Sequence, residues 1–158
     1  MATTLDAFFR IGETITLGSH FFDAASIKAF AAKFDPQPFH MDEKAAEDSV
    51  FGRLCASGWH TASMWMKYNM LTQTDTVPTR WRGEGPAPVF SASPGLKNLN
   101  WTKPVYVNET VTFTRTAVSH RPVASRPGWQ MVTVIAGGTD STGDKVIEFE
   151  NAVLVKVA

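Results

Sequence analysis

Between Glu13 and Gly18, apolar Ile15 and Leu17 alternate with polar neighbours, which predicts a short strand with one buried face. Asp23 then reads as a helix N-cap, its carboxylate able to accept the first unpaired N–H groups. Ile27, Phe30, Ala31 and Phe34 follow at helical spacing as one apolar stripe. Pro36 disfavours helical backbone at Asp35, so this helix is expected to stop there. Asp35-Pro36-Gln37-Pro38-Phe39-His40 reads as a stiff extended loop, and Asp42 to Glu47 as a short exposed helix capped by Asp42. Trp59 to Met70 is apolar nearly all round, the pattern of a helix buried on most sides. Residues 72–95 hold Pro78, Pro86, Pro88 and Pro94 with three glycines, and read as one long irregular loop. After that the period is two. Leu96 to Trp101, Val105 to Val107, Thr110 to Val118, Trp129 to Ala136 and Val146 to Val157 are strand candidates, with a turn at Asn108-Glu109. One buried helix followed by antiparallel strands predicts an α+β layer, a sheet wrapped on a helix.

Composition narrows the class. A chain of 158 residues with 44% apolar and 19% charged side chains is expected to form a single domain, 1–158, with a filled core. Fifteen basic residues balance 15 acidic ones, so there is no electrostatic footprint for bulk nucleic acid. The single cysteine, Cys55, has no internal disulfide partner and reads as a small buried apolar residue. No basic segment leads into an apolar one at the start, and no apolar run reaches the length of a membrane span. A soluble cytoplasmic protein, without membrane contact, is the expectation.

Candidate chemistry gathers in the proline loop. Two prolines fix the backbone around Gln37 and hold Asp35 and His40 at the ends of a short span. A carboxylate and an imidazole that converge in an apolar pocket form a general acid–base pair able to orient one water. Ala56-Ser57-Gly58 opens the apolar helix, and unpaired N–H groups there suit a carbonyl oxygen or an anion. Such an anchor beside an acid–base pair fits proton chemistry next to a carbonyl. The plainer readings are a loop-capping Asp35 and a glycine chosen for packing at Gly58. His60 reads as a hydrogen-bonded core or interface residue, His20 and His120 as surface loop residues, and Arg80, Arg82 and Arg115 as solvated charges. No metal-ligand spacing, phosphate loop or nucleophile elbow is present, so no metal is expected.

The stretch from Phe30-Ala31 to His40-Met41-Asp42 resembles the motif Asp-x-Asn-Pro-x-His-x-Asp of the MaoC-like dehydratase and (R)-specific enoyl-CoA hydratase family, with Asp35, Pro38, His40 and Asp42 on its positions. Phe51-Gly52, Ala56-Ser57-Gly58, Ser93-Pro94-Gly95, Trp101 and Lys103-Pro104-Val105 continue the likeness over roughly residues 12–157. The resemblance implies a hot dog fold, a curved antiparallel sheet around one long helix. It also implies reversible syn hydration of a trans-2-enoyl-CoA thioester to a 3-hydroxyacyl-CoA. Asp35 and His40 would activate the water, and the Gly58 N–H would hold the thioester oxygen. Gln37, Ser57 and Trp59 are expected beside Gly58 at the substrate.

Coenzyme A would be part of the substrate, with no other cofactor, and the partner would be a second copy in a homodimer or larger even oligomer. Arg80 or Arg82 would be available to a substrate carboxylate or to coenzyme A phosphates. Two positions depart from the motif: Gln37 stands for Asn, and Pro36 follows Asp35. Trp59 and Trp65 would narrow the acyl pocket, with the 72–95 loop as its far wall. A hot dog thioesterase and a non-catalytic acyl-thioester-binding protein are the alternatives.

Overall fold

A computed structural model describes residues 3–157, except for the side chains of 74–80. The chain opens with α1 (Thr4–Phe9), which the hydrophobic pattern had not suggested. Thr3 and Asp6 form a reciprocal capping box there, and Phe8 and Phe9 are buried against Ala117, Val132, Val134 and Val155. β1 (Thr14–Phe22) runs four residues past the predicted strand. A bulge falls between Thr16 and Gly18, where the Tyr68 ring covers Gly18 so closely that a Cβ would overlap it.

Helix α2 (Ala24–Phe34) begins at the Asp23 cap, which accepts from the Ser26 N–H, and stops one residue before Pro36 forbids helix. Its stripe is shorter than the pattern suggested: Ile27 and Ala31 are buried, whereas Phe34 is exposed. The proline loop is also shorter. Only Asp35, Pro36 and Gln37 are non-helical before α3 (Pro38–Met41), because a proline at the first helical position gives up an N–H that would have had no partner. Asp42 caps α4 (Glu43–Glu47) as expected.

Helix α5 (Gly58–Arg80) is one element that takes in the first third of the predicted 72–95 loop. It packs on β1, β4 and β5. Trp65 is wholly buried beneath it, edge to face with Phe149, and its indole N–H donates to the Thr114 carbonyl at 2.9 Å. The helix is not buried on most sides, however. Trp59, Met66 and Met70, at spacings of seven and four residues, form a stripe that this chain leaves exposed.

Among the described residues the sheet has six antiparallel strands. β1, β4 (Glu109–Pro122), β5 (Trp129–Thr139) and β6 (Lys145–Lys156) lie in that order. Two short strands, β2 (Val89–Phe90) and β3 (Gly95–Asn100), pair one after the other along β6. This is the expected hot dog architecture, a curved antiparallel sheet around a long helix. Val105 to Val107 is not a strand. It docks on the segment before α5 through the Ala56 N–H to Val105 carbonyl and Val107 N–H to Leu54 carbonyl bonds. His20 and His120, expected in surface loops, are half-buried strand residues bonded to Tyr68 and to Asp6 and Gln130. No described helix is long and apolar enough to cross a membrane.

Candidate active site

Asp35 is the last residue before the Pro36 turn, and its side chain points back toward the start of α5. One carboxylate oxygen, Oδ2, accepts from the Ser57 hydroxyl at 2.7 Å and lies 3.4 Å from His40 Nε2. The other, Oδ1, accepts from the Gln37 amide at 2.7 Å. Burial pushes the Asp35 carboxyl up, but the bonds from Ser57 and then Gln37 outweigh it and hold the group below the usual carboxylate range.

His40 sits on α3 and is 5% exposed, which places its ring in the interior. Its Nδ1 lies 2.6 Å from the Cys55 carbonyl. A carbonyl only accepts, so Nδ1 carries the hydrogen and the Nε2 lone pair of the neutral ring faces Asp35. Two acceptors 3.4 Å apart leave a place for one donor to the side of the pair, and a water there can serve both. Cys55 is buried as predicted, and burial pushes its thiol up to about 11. It is therefore inert as a nucleophile, and its carbonyl is the part that matters here.

Asp35, His40, Gln37, Gly58 and Trp59 all line one cavity of about 440 Å3. The structure thus brings five of the six expected residues together. The sixth, Ser57, is fully buried behind the wall and turned to Asp35. Ser57 also caps α5. Its hydroxyl oxygen accepts the Trp59 N–H, and its carbonyl accepts from His60 and Thr61. The Gly58 N–H is the first of the helix, beyond the reach of any carbonyl of its own helix, and it stands at the positive end of the helix dipole.

The opposite wall was not foreseen as part of the site. It comprises Trp101, Thr102, Lys103, Pro104 and Val105. The Trp101 indole lies over Gly58, where a Cβ would overlap it, and meets Trp59 edge to face at 5.1 Å. Lys103 is fixed there by Asp140 and Asp144, at 2.5 and 2.9 Å. Among the described residues nothing from 72–95 lines this cavity, so that segment is not its far wall.

A second cavity, of about 200 Å3, opens along the other end of α5. Gln73, Phe90, Ser91 and Ser93 from the 72–95 segment line it, together with Trp65 and Met66. Arg115, expected as a solvated charge, is buried on its wall and donates to Asn69 Oδ1 at 2.6 Å. Its position in β4 shares the parity of Val111, Phe113 and Ala117, all buried, and that alternation was the signal for it. Arg82 is exposed and lines neither cavity, and the Arg80 side chain lies outside the described residues.

His60 is buried as expected but not hydrogen-bonded as expected. It is 4% exposed, stacked flat on Phe30 at 4.6 Å, and its Nδ1 has no partner among the described residues. Burial pushes its pKa down to about 4. No group of three or more histidine, cysteine, aspartate or glutamate side chains is placed to hold a metal among the described residues.

Comparison with known proteins gives a consistent answer. The family model described as MaoC like domain matches residues 8–137. A solved MaoC-like dehydratase from Rhodospirillum rubrum is 32% identical, with a TM-score of 0.74, over 94% of this chain and 93% of that one. The (R)-hydratase from A. caviae involved in PHA biosynthesis shares the fold, with a TM-score of 0.63 at 24% identity, over 90% of this chain and 94% of its own. The uncharacterized protein YdeM of Bacillus subtilis (strain 168) is 27% identical over 149 residues, 94% of this chain and 96% of that protein.

Proposed function

The chain belongs to the MaoC-like dehydratase family, and from that premise we propose that it adds water reversibly to a trans-2-enoyl-CoA thioester, giving a 3-hydroxyacyl-CoA. The observation that carries the reading is that Asp35, His40 and Gly58 line one cavity. The thioester oxygen accepts from the Gly58 N–H, where the helix dipole favours growing negative charge. A water donates one hydrogen to Asp35, kept ionised by its bonds, and one to the His40 Nε2 lone pair. Its oxygen bonds to the β-carbon while the π electrons move toward the thioester oxygen. The proton released to the pair is then delivered to the α-carbon. Both additions come from one side, so the outcome is syn. Coenzyme A enters only as part of the substrate, and no further cofactor takes part.

Trp59 and Trp101 crowd the Gly58 side of the cavity, and the reading expects turnover to favour short acyl chains. Trp65, placed by the sequence at the same pocket, lines the second cavity instead. The exposed stripe of Trp59, Met66 and Met70 supports a homodimer or larger even oligomer, which light scattering tests directly.

The test is a hydration assay on crotonyl-CoA and longer enoyl-CoA esters. It follows loss of the conjugated thioester absorbance and release of free thiol together. Asp35→Asn and His40→Ala should each lower hydration by roughly 10²–10⁴-fold, the usual worth of a positioned acid or base. Thiol release without hydration would make the protein a thioesterase, and tight ester binding without product a binding protein.

A further inference from the structure

We infer that Ser57 and Gln37 are positioning residues that clamp Asp35 from two sides, and that the Ser57 hydroxyl ties this carboxylate to the first turn of α5. The inference rests on the hydratase reading for its kinetic consequence only. The geometry stands without it.

Asp35 needs such a clamp. It follows α2 with backbone angles of −157° and 68°, outside any regular element, and its side chain swings on two torsions. The bonds that fix it come from side chains. A hydroxyl has one hydrogen and two lone pairs. Ser57 commits its hydrogen to Asp35 Oδ2, because an ionised carboxylate only accepts, and one lone pair to the Trp59 N–H at 3.2 Å. A single oxygen atom, completely buried, thus touches both the proposed water-holding carboxylate and the helix end that carries the Gly58 N–H. The distance between the two halves of the site is set through it.

The second side of the clamp uses the two departures from the family motif. The Gln37 N–H bonds the Asp35 carbonyl at 2.8 Å, a three-residue turn centred on Pro36. An inverse γ-turn wants a central φ near the value that a proline ring imposes. The turn brings the Gln37 side chain back along the chain, and its amide closes on Asp35 Oδ1 at 2.7 Å. Pro36 and Gln37 therefore act as one device, with the proline making the turn and the glutamine closing it on the carboxylate. Gln37 is exposed, so the bond is made at the cavity mouth.

The groups facing Asp35 are few. His40 approaches from α3, with the neutral Cys55 thiol behind it. Lys103 stands on the opposite wall, held by Asp140 and Asp144.

The test reads Asp35 directly. In ¹³C-labelled protein the carboxyl signal of Asp35 is titrated in the native chain, in Ser57→Ala, in Gln37→Leu and in the double variant, with the His40 ring signals followed in the same samples. Asp35 should titrate higher in each single variant and highest in the double. Gln37→Leu alters only an exposed side chain, so it reports even if Ser57→Ala is poorly folded. With an enoyl-CoA substrate, Ser57→Ala should lose roughly 10–100-fold in kcat with KM nearly unchanged, as a displaced catalytic group does, and Ser57→Thr should recover part of it. An Asp35 titration that is the same in all four folded proteins overturns the inference. So does a loss carried by KM alone. If the native chain hydrates no ester, the hydratase reading fails while the titration still decides the clamp.

Discussion

Protonation of His60 is expected to destabilise this protein progressively in mild acid. The ring is 4% exposed, lies flat on Phe30, and has Nδ1 buried without a partner among the described residues. Charging it in place means charging an imidazole in an apolar layer, so burial first, and the nearby His20 second, push its pKa down to about 4 from an ordinary 6.5. The sign follows from proton counting. Between pH 6.5 and 4 the unfolded chain binds a proton at His60 that the folded chain refuses, so stability falls as pH falls. The slope approaches about 1.4 kcal/mol per pH unit, and across the window the loss is about 3 kcal/mol. That is a large share of the roughly 5–15 kcal/mol that holds a domain folded.

His20, also lowered by burial and by Lys67, acts in the same direction. The depressed carboxylates act elsewhere: Asp6 and Asp140, both near 2, give up their stabilisation only as pH drops below about 3.8. Urea unfolding at steps from pH 8 to 4.5, at fixed protein concentration, measures the slope. His60→Phe keeps an aromatic ring on Phe30 and removes this titration, so the slope that remains, to which His20 contributes, should be shallower. A native protein equally stable at pH 7 and 4.5, or a His60→Phe variant with the native slope, would refute the reasoning.

Two further outcomes are expected. Gly58→Ala places a Cβ in the Trp101 indole, so Trp101 must swing away and lose its edge-to-face contact with Trp59, worth about 0.5–1.5 kcal/mol. Alanine's better helix propensity, about 1 kcal/mol, offsets this. Thermal melting should therefore shift little while hydration of crotonyl-CoA falls, and unchanged kinetics would show that Trp101 over Gly58 does not matter. Cys55, 1% exposed with its thiol pushed up to about 11, should resist a disulfide reagent at pH 8 in the native protein and react fully in denaturant. Rapid labelling of the native chain would contradict its burial.

Local chemistry was legible where it is self-contained. Asp23 and Asp42 cap their helices by reaching three residues along the chain, a distance that sequence shows directly. The period-two strands from Thr110 onward were plain because one face of each is buried. Asp35 and His40 were picked out by their residue types on either side of the two prolines, and both line one cavity. What joins them was not readable, since the Cys55 carbonyl and the Ser57 hydroxyl come from 15 and 22 residues away. The start of the predicted 72–95 loop belongs to α5 instead, because Pro78 was weighed as a loop signal and the helix runs past it to Arg80. Arg115 was misjudged by charge when its parity placed it inside, and His20 likewise shares the parity of the buried Phe22.

The edge-to-face indoles over Gly58 also make the candidate site visible to light. Trp59 and Trp101 sit 5.1 Å apart, close enough for their excited states to couple into a circular-dichroism couplet that the other tryptophans do not share. Both are partly open to solvent, so dissolved quenchers reach them, while the wholly enclosed Trp65 stays bright. An unlabelled ester entering beside Gly58 would part or shield the pair, and the molecule would report its own occupancy optically before any bond has changed.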